Sequence, residues 1–177
     1  NGKTIKIDLI FNLIHGSIGE NGHLAALCEI LEIPISSCDS YNAALTFNKR
    51  DCLSVLREWK IPTAKYFTID RDDNINEDSI IKKLGLPCFV KANRSGSSFG
   101  IFKVYDKSNL LPSIKEAFKY DTQLIIESNL NGPEVSVGIA RYDNKIQVFP
   151  ITEIIPNNDF FDYAAKYEDQ SEEITPA

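Results

Sequence analysis

The sequence predicts the edge of an α/β domain joined to an α+β domain. Three features predict it. An apolar run leads through a glycine-rich loop into a helix, helix-rich sequence follows, and the later strands are mainly antiparallel in character and surround a glycine–serine loop. Alternating β and α units build parallel sheets, whereas strands segregated from helices build α+β architectures. A length of 177 residues suits one domain or two small ones. With 43% hydrophobic and 25% charged residues, the chain has the composition of an ordinary globular protein.

Residues 6–14 (KIDLIFNLI) are almost continuously apolar and predict a buried strand of a parallel sheet. The strand should end at His15-Gly16-Ser17-Ile18-Gly19-Glu20-Asn21-Gly22, a loop where α/β proteins bind ligands. Leu24, Leu27, Cys28 and Leu31 fall at helical spacing, and Ile33-Pro34 ends that helix. Residues 41–47 predict a short helix. Asn48 is placed to cap a second one carrying Lys49, Cys52, Leu53, Leu56 and Trp59, stopped by Ile61-Pro62. A strand over 64–69, a polar connection over 71–78 and a helix over 79–84 lead to Gly85-Leu86-Pro87. Residues 110–119 predict an amphipathic helix, and 123–127 an apolar strand ending in the carboxylate of Glu127. After the turn Asn131-Gly132-Pro133, residues 134–141 alternate as a half-buried strand, Asp143-Asn144 turns, and 145–149 returns. A separate strand is expected over 153–155. Residues 157–177 predict a long acidic loop with clustered aromatics, of the kind that forms lids.

Between the 84 and 110 helices lies the stretch that carries chemistry, Phe89-Val90-Lys91-Ala92-Asn93-Arg94-Ser95-Gly96-Ser97-Ser98-Phe99-Gly100, followed by Ile101-Phe102-Lys103-Val104. It predicts a hairpin with a mobile, donor-rich tip. Small residues let backbone N–H groups and hydroxyls approach an anion, and Lys91 at the strand end adds a point charge. A solvated turn with an incidental lysine would share the pattern. The loop is neither a Walker A loop nor the dinucleotide fingerprint.

A net charge of −6 argues against a general nucleic-acid binder. No apolar run approaches the length of a membrane span and no secretory signal pattern is present; the cysteine usage makes a cytoplasmic protein the expectation. Cys28, Cys38, Cys52 and Cys88 form no Cys-x-x-Cys pair or zinc pattern, and are expected to be reduced and mostly buried. The chain has no methionine and starts Asn-Gly-Lys, which points to a processed chain or an internal piece of a longer protein.

Taken together, five stretches in order resemble the ATP-grasp enzymes, and among them the D-alanine–D-alanine ligases. They are the loop His15 to Gly22, the pair Asn48-Lys49, the stretch from Lys91 to Gly100, Glu127 with Asn131-Gly132-Pro133-Glu134, and Phe161-Asp162-Tyr163-Ala164-Ala165-Lys166-Tyr167. Thr175-Pro176-Ala177 is also similar to the family's step after its lid. The resemblance implies a partial ATP-grasp fold. Residues 1–38 would be the end of an N-terminal α/β substrate domain, 39–126 the central subdomain with the phosphate loop, and 127–177 the start of the C-terminal subdomain with the lid. It implies ATP-dependent joining of two D-alanines through an acyl phosphate for peptidoglycan synthesis, with magnesium or manganese, in a homodimer. Another ATP-grasp carboxylate–amine ligase, or a non-catalytic nucleotide-binding module, would share many of these features.

Residue by residue, the resemblance implies that Lys49 and Lys91 neutralise ATP phosphates, and that Ser97 and Ser98 belong to the loop closing over them. Glu127 and Leu130 would contact adenine, and Glu134 the ribose. His15 would sit beside the first substrate's carboxylate, and Glu20 would order that loop and the serine network. Lys166 would reach the terminal phosphate, and Tyr167 would meet Ser97. Ser97, Lys166 and Tyr167 would thus form the catalytic group. His23 has no counterpart. The departures are Ala92 in place of proline, Arg94-Ser95, Asn21 in place of aspartate, and Ala164 in place of glutamate; the last bears on lid anchoring. The magnesium ligands and the transition-state arginine are expected beyond Ala177, so the chain alone is expected to be inactive.

Overall fold

The computed structural model describes residues 5–157 and 171–177. The chain divides into two compact units, Asn1–Asn129 and Leu130–Ala177.

In the first unit, α1 (His23–Ile30), α2 (Ser40–Phe47) and α3 (Lys49–Glu58) precede a four-stranded antiparallel sheet. Its strands are β1 (Tyr66–Asp70), β2 (Cys88–Ala92), β3 (Ile101–Val104) and β4 (Gln123–Ser128), in the order β1-β4-β2-β3. Between them run α4 (Glu77–Leu84) and α5 (Leu110–Ala117), the latter entered through a 3-10 turn, Lys107–Asn109. The helices begin where short polar side chains can accept a free N–H. Asp39 accepts from Asn42 N at 2.8 Å, Asn48 from Asp51 N at 3.2 Å and Asn76 from Ser79 N at 2.9 Å.

One face of the sheet carries the main apolar core. Val90, Ala92, Val104, Leu124 and Ile126 have no exposed surface, and they pack with Ile80 and Leu84 of α4 and Leu110, Ile114 and Ala117 of α5. Period-two alternation then turns Phe89, Lys91, Ile125 and Glu127 to the other face. The expected β2–β3 hairpin forms, pairing Cys88 with Val104 and Lys91 with Ile101.

The expected buried strand over 6–14 does not form. Only Ile10 bridges to Ile35, in parallel, and Leu9, Phe11 and Leu13 are largely exposed. A parallel strand needs ladder partners on its flanks. Here the extended segment is held instead by Ile10 N donating to Pro34 O, Ser36 N donating to Ile10 O, and Asn12 donating to Gly19 O and Ser37 Oγ.

In the second unit, β5 (Glu134–Tyr142), β6 (Lys145–Pro156) and β7 (Ser171–Ile174) form an antiparallel sheet in that order. The separate strand expected over 153–155 is the far half of β6, carried past an irregularity at Val137/Ile139. Part of the expected long loop is strand too: β7 pairs Glu173 with Ile154 and Glu172 with Ile155. Ladder hydrogen bonds there outweigh the weak apolar periodicity of an acidic sequence. No helix among the described residues is long and apolar enough to cross a membrane.

Candidate active site

Helix α3 begins beside the end of β2. Its first residue, Lys49, donates its backbone N–H to Asn93 O at 3.2 Å. The Lys49 ammonium donates to Ser95 O at 2.6 Å and Ala92 O at 3.0 Å. The lysine therefore grips the carbonyls at the root of the glycine–serine loop. Lys91 projects from β2 on the face that carries Asn93, and its Nζ lies 2.5 Å from Glu127 Oε2. Their side chains are 25% and 12% exposed, so the pair is only partly screened by water. The Lys91 and Lys103 ammonium groups lie 5.3 and 5.5 Å from the centroid of the Phe89 ring, within cation–π range.

The loop tip is tied rather than mobile. Phe99 N donates to Gly96 O at 3.0 Å, Ser95 Oγ donates to Phe99 O at 2.9 Å, and Ala92 N donates to Gly100 O at 2.9 Å. Ser97 and Ser98 occupy the left-handed region, with φ of 51° and 59°. Consecutive residues in such conformations curl the backbone so that N–H groups turn to one side, a geometry suited to anions. Arg94 anchors the near arm: its backbone N–H, Nε and Nη2 all donate to Asp121, at 2.6 to 3.2 Å. Burial raises the Asp121 pKa, but the Arg94 hydrogen bonds outweigh it and hold the carboxyl below its ordinary value.

The first loop meets this hairpin. Glu20 accepts the backbone N–H of Gly16 through Oε2. A Cβ on Gly96 would lie 3.0 Å from that same Oε2, 3.3 Å from Gly16 Cα and 3.5 Å from a Phe47 ring carbon. Only glycine fits there without displacement, so the two loops are packed as one body. Asn21 organises the first loop, its Oδ1 accepting from Ile18 N at 3.1 Å and His23 N at 3.2 Å. His23 in turn lies 3.1 Å from Asn21 Nδ2, a local role. His15 is exposed at the start of the loop. A cavity of about 490 Å³ opens beside this junction, lined by Ser17, Asn21, Tyr41, Phe47 and Arg94; Lys49, Lys91 and Glu127 are not in its wall.

The structure thus gathers Lys49, Lys91, Ser97, Ser98, Glu127 and Glu20 in the first unit. Leu130 is exposed and Glu134 opens β5, both in the second unit. Lys166, Tyr167 and Ala164 lie outside the described residues. No group of three His, Cys, Asp or Glu side chains among the described residues is placed to hold a metal ion, so no step is assigned to one. Cys28 and Cys88 are buried as expected, but Cys38 is exposed. Burial pushes the Cys88 thiol pKa up, which suits a packing role.

Sequence reasoning missed Asn93, Gln123 and Asp121, the polar residues that fix the loop's root. Asn93 is fully buried and Gln123 nearly so. The available signal was polar residues at strand ends beside the loop, which read equally as turn chemistry.

The family model for the D-ala D-ala ligase C-terminus matches residues 55–177. The chain is 55% identical over its full length to a D-alanine–D-alanine ligase of Flavobacterium johnsoniae, of which it covers 55%. Among solved structures, the VanG D-Ala:D-Ser ligase from Enterococcus faecalis superposes with a TM-score of 0.80 at 35% identity, over 99% of this chain and 51% of that one. The Bacillus anthracis D-alanine–D-alanine ligase complexed with ATP superposes at 0.76 with 27% identity, over 95% and 52%. The chain spans about half the length of the curated relatives it matches. Its fold is that of the ATP-grasp ligases, and the chain belongs to the D-alanine–D-alanine ligase family.

Proposed function

We propose that the protein carrying this chain joins two D-alanines at the expense of ATP, making the dipeptide used in peptidoglycan synthesis. The observation that carries the proposal is the pairing of Lys49 and Lys91 with a curled glycine–serine loop, in a chain of this family. In that reading a carboxylate oxygen of the first D-alanine attacks the γ-phosphorus, ADP leaves, and an acyl phosphate forms. The amine of the second D-alanine attacks the acyl carbon, inorganic phosphate leaves with the C–O electron pair, and the amine loses a proton. Phosphoryl transfer of this kind rests on positioning and charge neutralisation. Lys91 and Lys49 supply charge, and Ser97 and Ser98 supply donors over the phosphates. Glu127 and Leu130 receive the adenine, Glu134 the ribose hydroxyls, and His15 the first substrate's carboxylate, with Glu20 holding its loop. For Lys166, assigned to the terminal phosphate, and Tyr167, assigned to the lid, the reading rests on the sequence resemblance alone.

The same reading divides the chain at 38/39 and 126/127 and places the protein in the cytoplasm as a homodimer, with magnesium bound by residues other than those described. The test is phosphate release by the full-length protein from ATP and magnesium, with D-alanine, D-serine or D-lactate as acceptor. D-Alanine should give the highest kcat/KM. Release that ignores D-alanine overturns the proposal. A preference for D-serine, the acceptor named for the Enterococcus enzyme, would reassign the acceptor and leave the first half-reaction intact.

A further inference from the structure

Asn93 follows β2 directly and has no exposed surface. Its Nδ2 donates to Asn48 Oδ1 at 2.8 Å and Gln123 Oε1 at 2.9 Å, while its Oδ1 accepts from Arg50 N at 2.8 Å. Its backbone N–H donates to Gln123 O at 3.0 Å. Gln123 Nε2 donates onward to Asp70 Oδ1 at 2.8 Å. The line has one direction. A backbone N–H can only donate and a carboxylate oxygen only accept, so both amides between them are forced into a single orientation. Buried polar lines of this kind specify geometry when every member is satisfied, and are costly when one is not.

The line joins β1 through Asp70, β4 through Gln123, β2 through Asn93, and the start of α3 through Asn48 and Arg50. Lys49 lies between those last two residues, and Lys91 lies two residues before Asn93. We propose that Asn93 is a positioning residue for nucleotide phosphates: it sets the start of α3, and with it Lys49, against the end of β2, and with it Lys91 and the loop. An apolar side chain could fill the same volume but could not fix that register. The inference rests on the ATP reading above. In that reading a shift of about 1 Å in a charged group can cost about 100-fold in rate.

The experiment uses the full-length protein and the variants Asn93→Ala and Asn93→Asp. The second keeps the shape of the side chain and removes both its donors. ATP and ADP affinities are measured by calorimetry, and KM for D-alanine by phosphate release. The expected result is ATP and ADP binding weakened about tenfold or more, with the D-alanine KM changed less than about twofold. Unchanged nucleotide affinity, with kcat lowered only in proportion to the folded fraction, overturns the inference and assigns Asn93 to packing. An equal rise in both constants also overturns it, since that marks general loosening. If the unmodified protein binds no nucleotide, the ATP reading itself falls and this inference with it. Nucleotide binding by the unmodified protein, unaffected in both variants, overturns this inference alone.

Discussion

The ion pair between Lys91 and Glu127 admits a quantitative test through Lys91→Met, Glu127→Gln and the double variant in the full-length protein. The charged atoms lie 2.5 Å apart with side chains 25% and 12% exposed. Fully exposed pairs couple by about 0.2–1 kcal/mol, and breaking a fully buried pair costs about 3–5 kcal/mol. This pair lies between those limits, so its coupling should be about 1–2 kcal/mol. Lys91→Met should be the costlier single change, at about 2 kcal/mol, because it leaves a carboxylate with little access to water. Glu127→Gln should cost less, since an amide oxygen still accepts from the ammonium and the Phe89 ring still faces it. Urea unfolding of all four proteins gives the coupling directly. Additivity within about 0.3–0.5 kcal/mol would refute the argument that partial burial strengthens this pair above an exposed one. The variants also separate stability from binding. Under the proposed function Lys91 donates to a phosphate, and losing such a charged hydrogen bond is worth about 1.5–3 kcal/mol, so Lys91→Met should then weaken ATP about 10- to 150-fold by calorimetry.

Three further outcomes are expected. Gly96→Ala should raise KM for ATP several-fold with a small change in melting temperature, because its Cβ presses on Glu20 and Gly16 without a backbone penalty; unchanged kinetics would show that the two loops move independently. Gly22→Ala should cost about 3 kcal/mol or more, since Gly22 has φ 89° and the new Cβ would sit 2.4 Å from Ser40 O; a melting temperature equal to that of the unmodified protein would contradict this. Asp121→Asn should cost about 1 kcal/mol at pH 7, discounted because Arg94 is half exposed. The folded-state pKa of Asp121 is depressed, so its stabilisation is fully present above the unfolded value of about 3.9 and is lost as pH falls through the folded value. The difference between the two proteins should therefore shrink on acidification below about pH 4, and a difference that grew there would reverse the sign of the argument.

The hairpin of β2 and β3, the capped start of α3 and the existence of strand β5 were legible because each depends on short-range pattern: a glycine–serine tip, an N-cap asparagine, period two. The half-burial expected for β5 does not hold: every residue of the strand is exposed, Val135, Val137 and Ile139 included, because period two marks a strand but not a layer to cover it. The stretch from 6 to 14 was misread because apolarity reports burial only where a partner layer exists, and Leu9, Phe11 and Leu13 have none among the described residues. Strand β7 escaped notice because Ser-Glu-Glu-Ile has almost no strand propensity and is held by its ladder with β6. For the site, Lys49 and Lys91 could be picked out as charges at element ends. Their partners could not: Lys49 with Ser95 O spans 46 residues, and Lys91 with Glu127 spans 36. Contacts that distant are fixed by strand order, which no local motif encodes.

The left-handed backbone of Ser97 and Ser98 separates two meanings of conservative replacement. Judged by the hydroxyl, threonine is the natural substitute for serine. Judged by φ values of 51° and 59°, it is among the worst, because a β-branched side chain in that region is a steric outlier, whereas glycine, asparagine and aspartate are tolerated. Selection for a donor and selection for a curl therefore pull in different directions at these two positions. Serine satisfies both at the smallest size, and a saturation library should return glycine and asparagine well ahead of threonine.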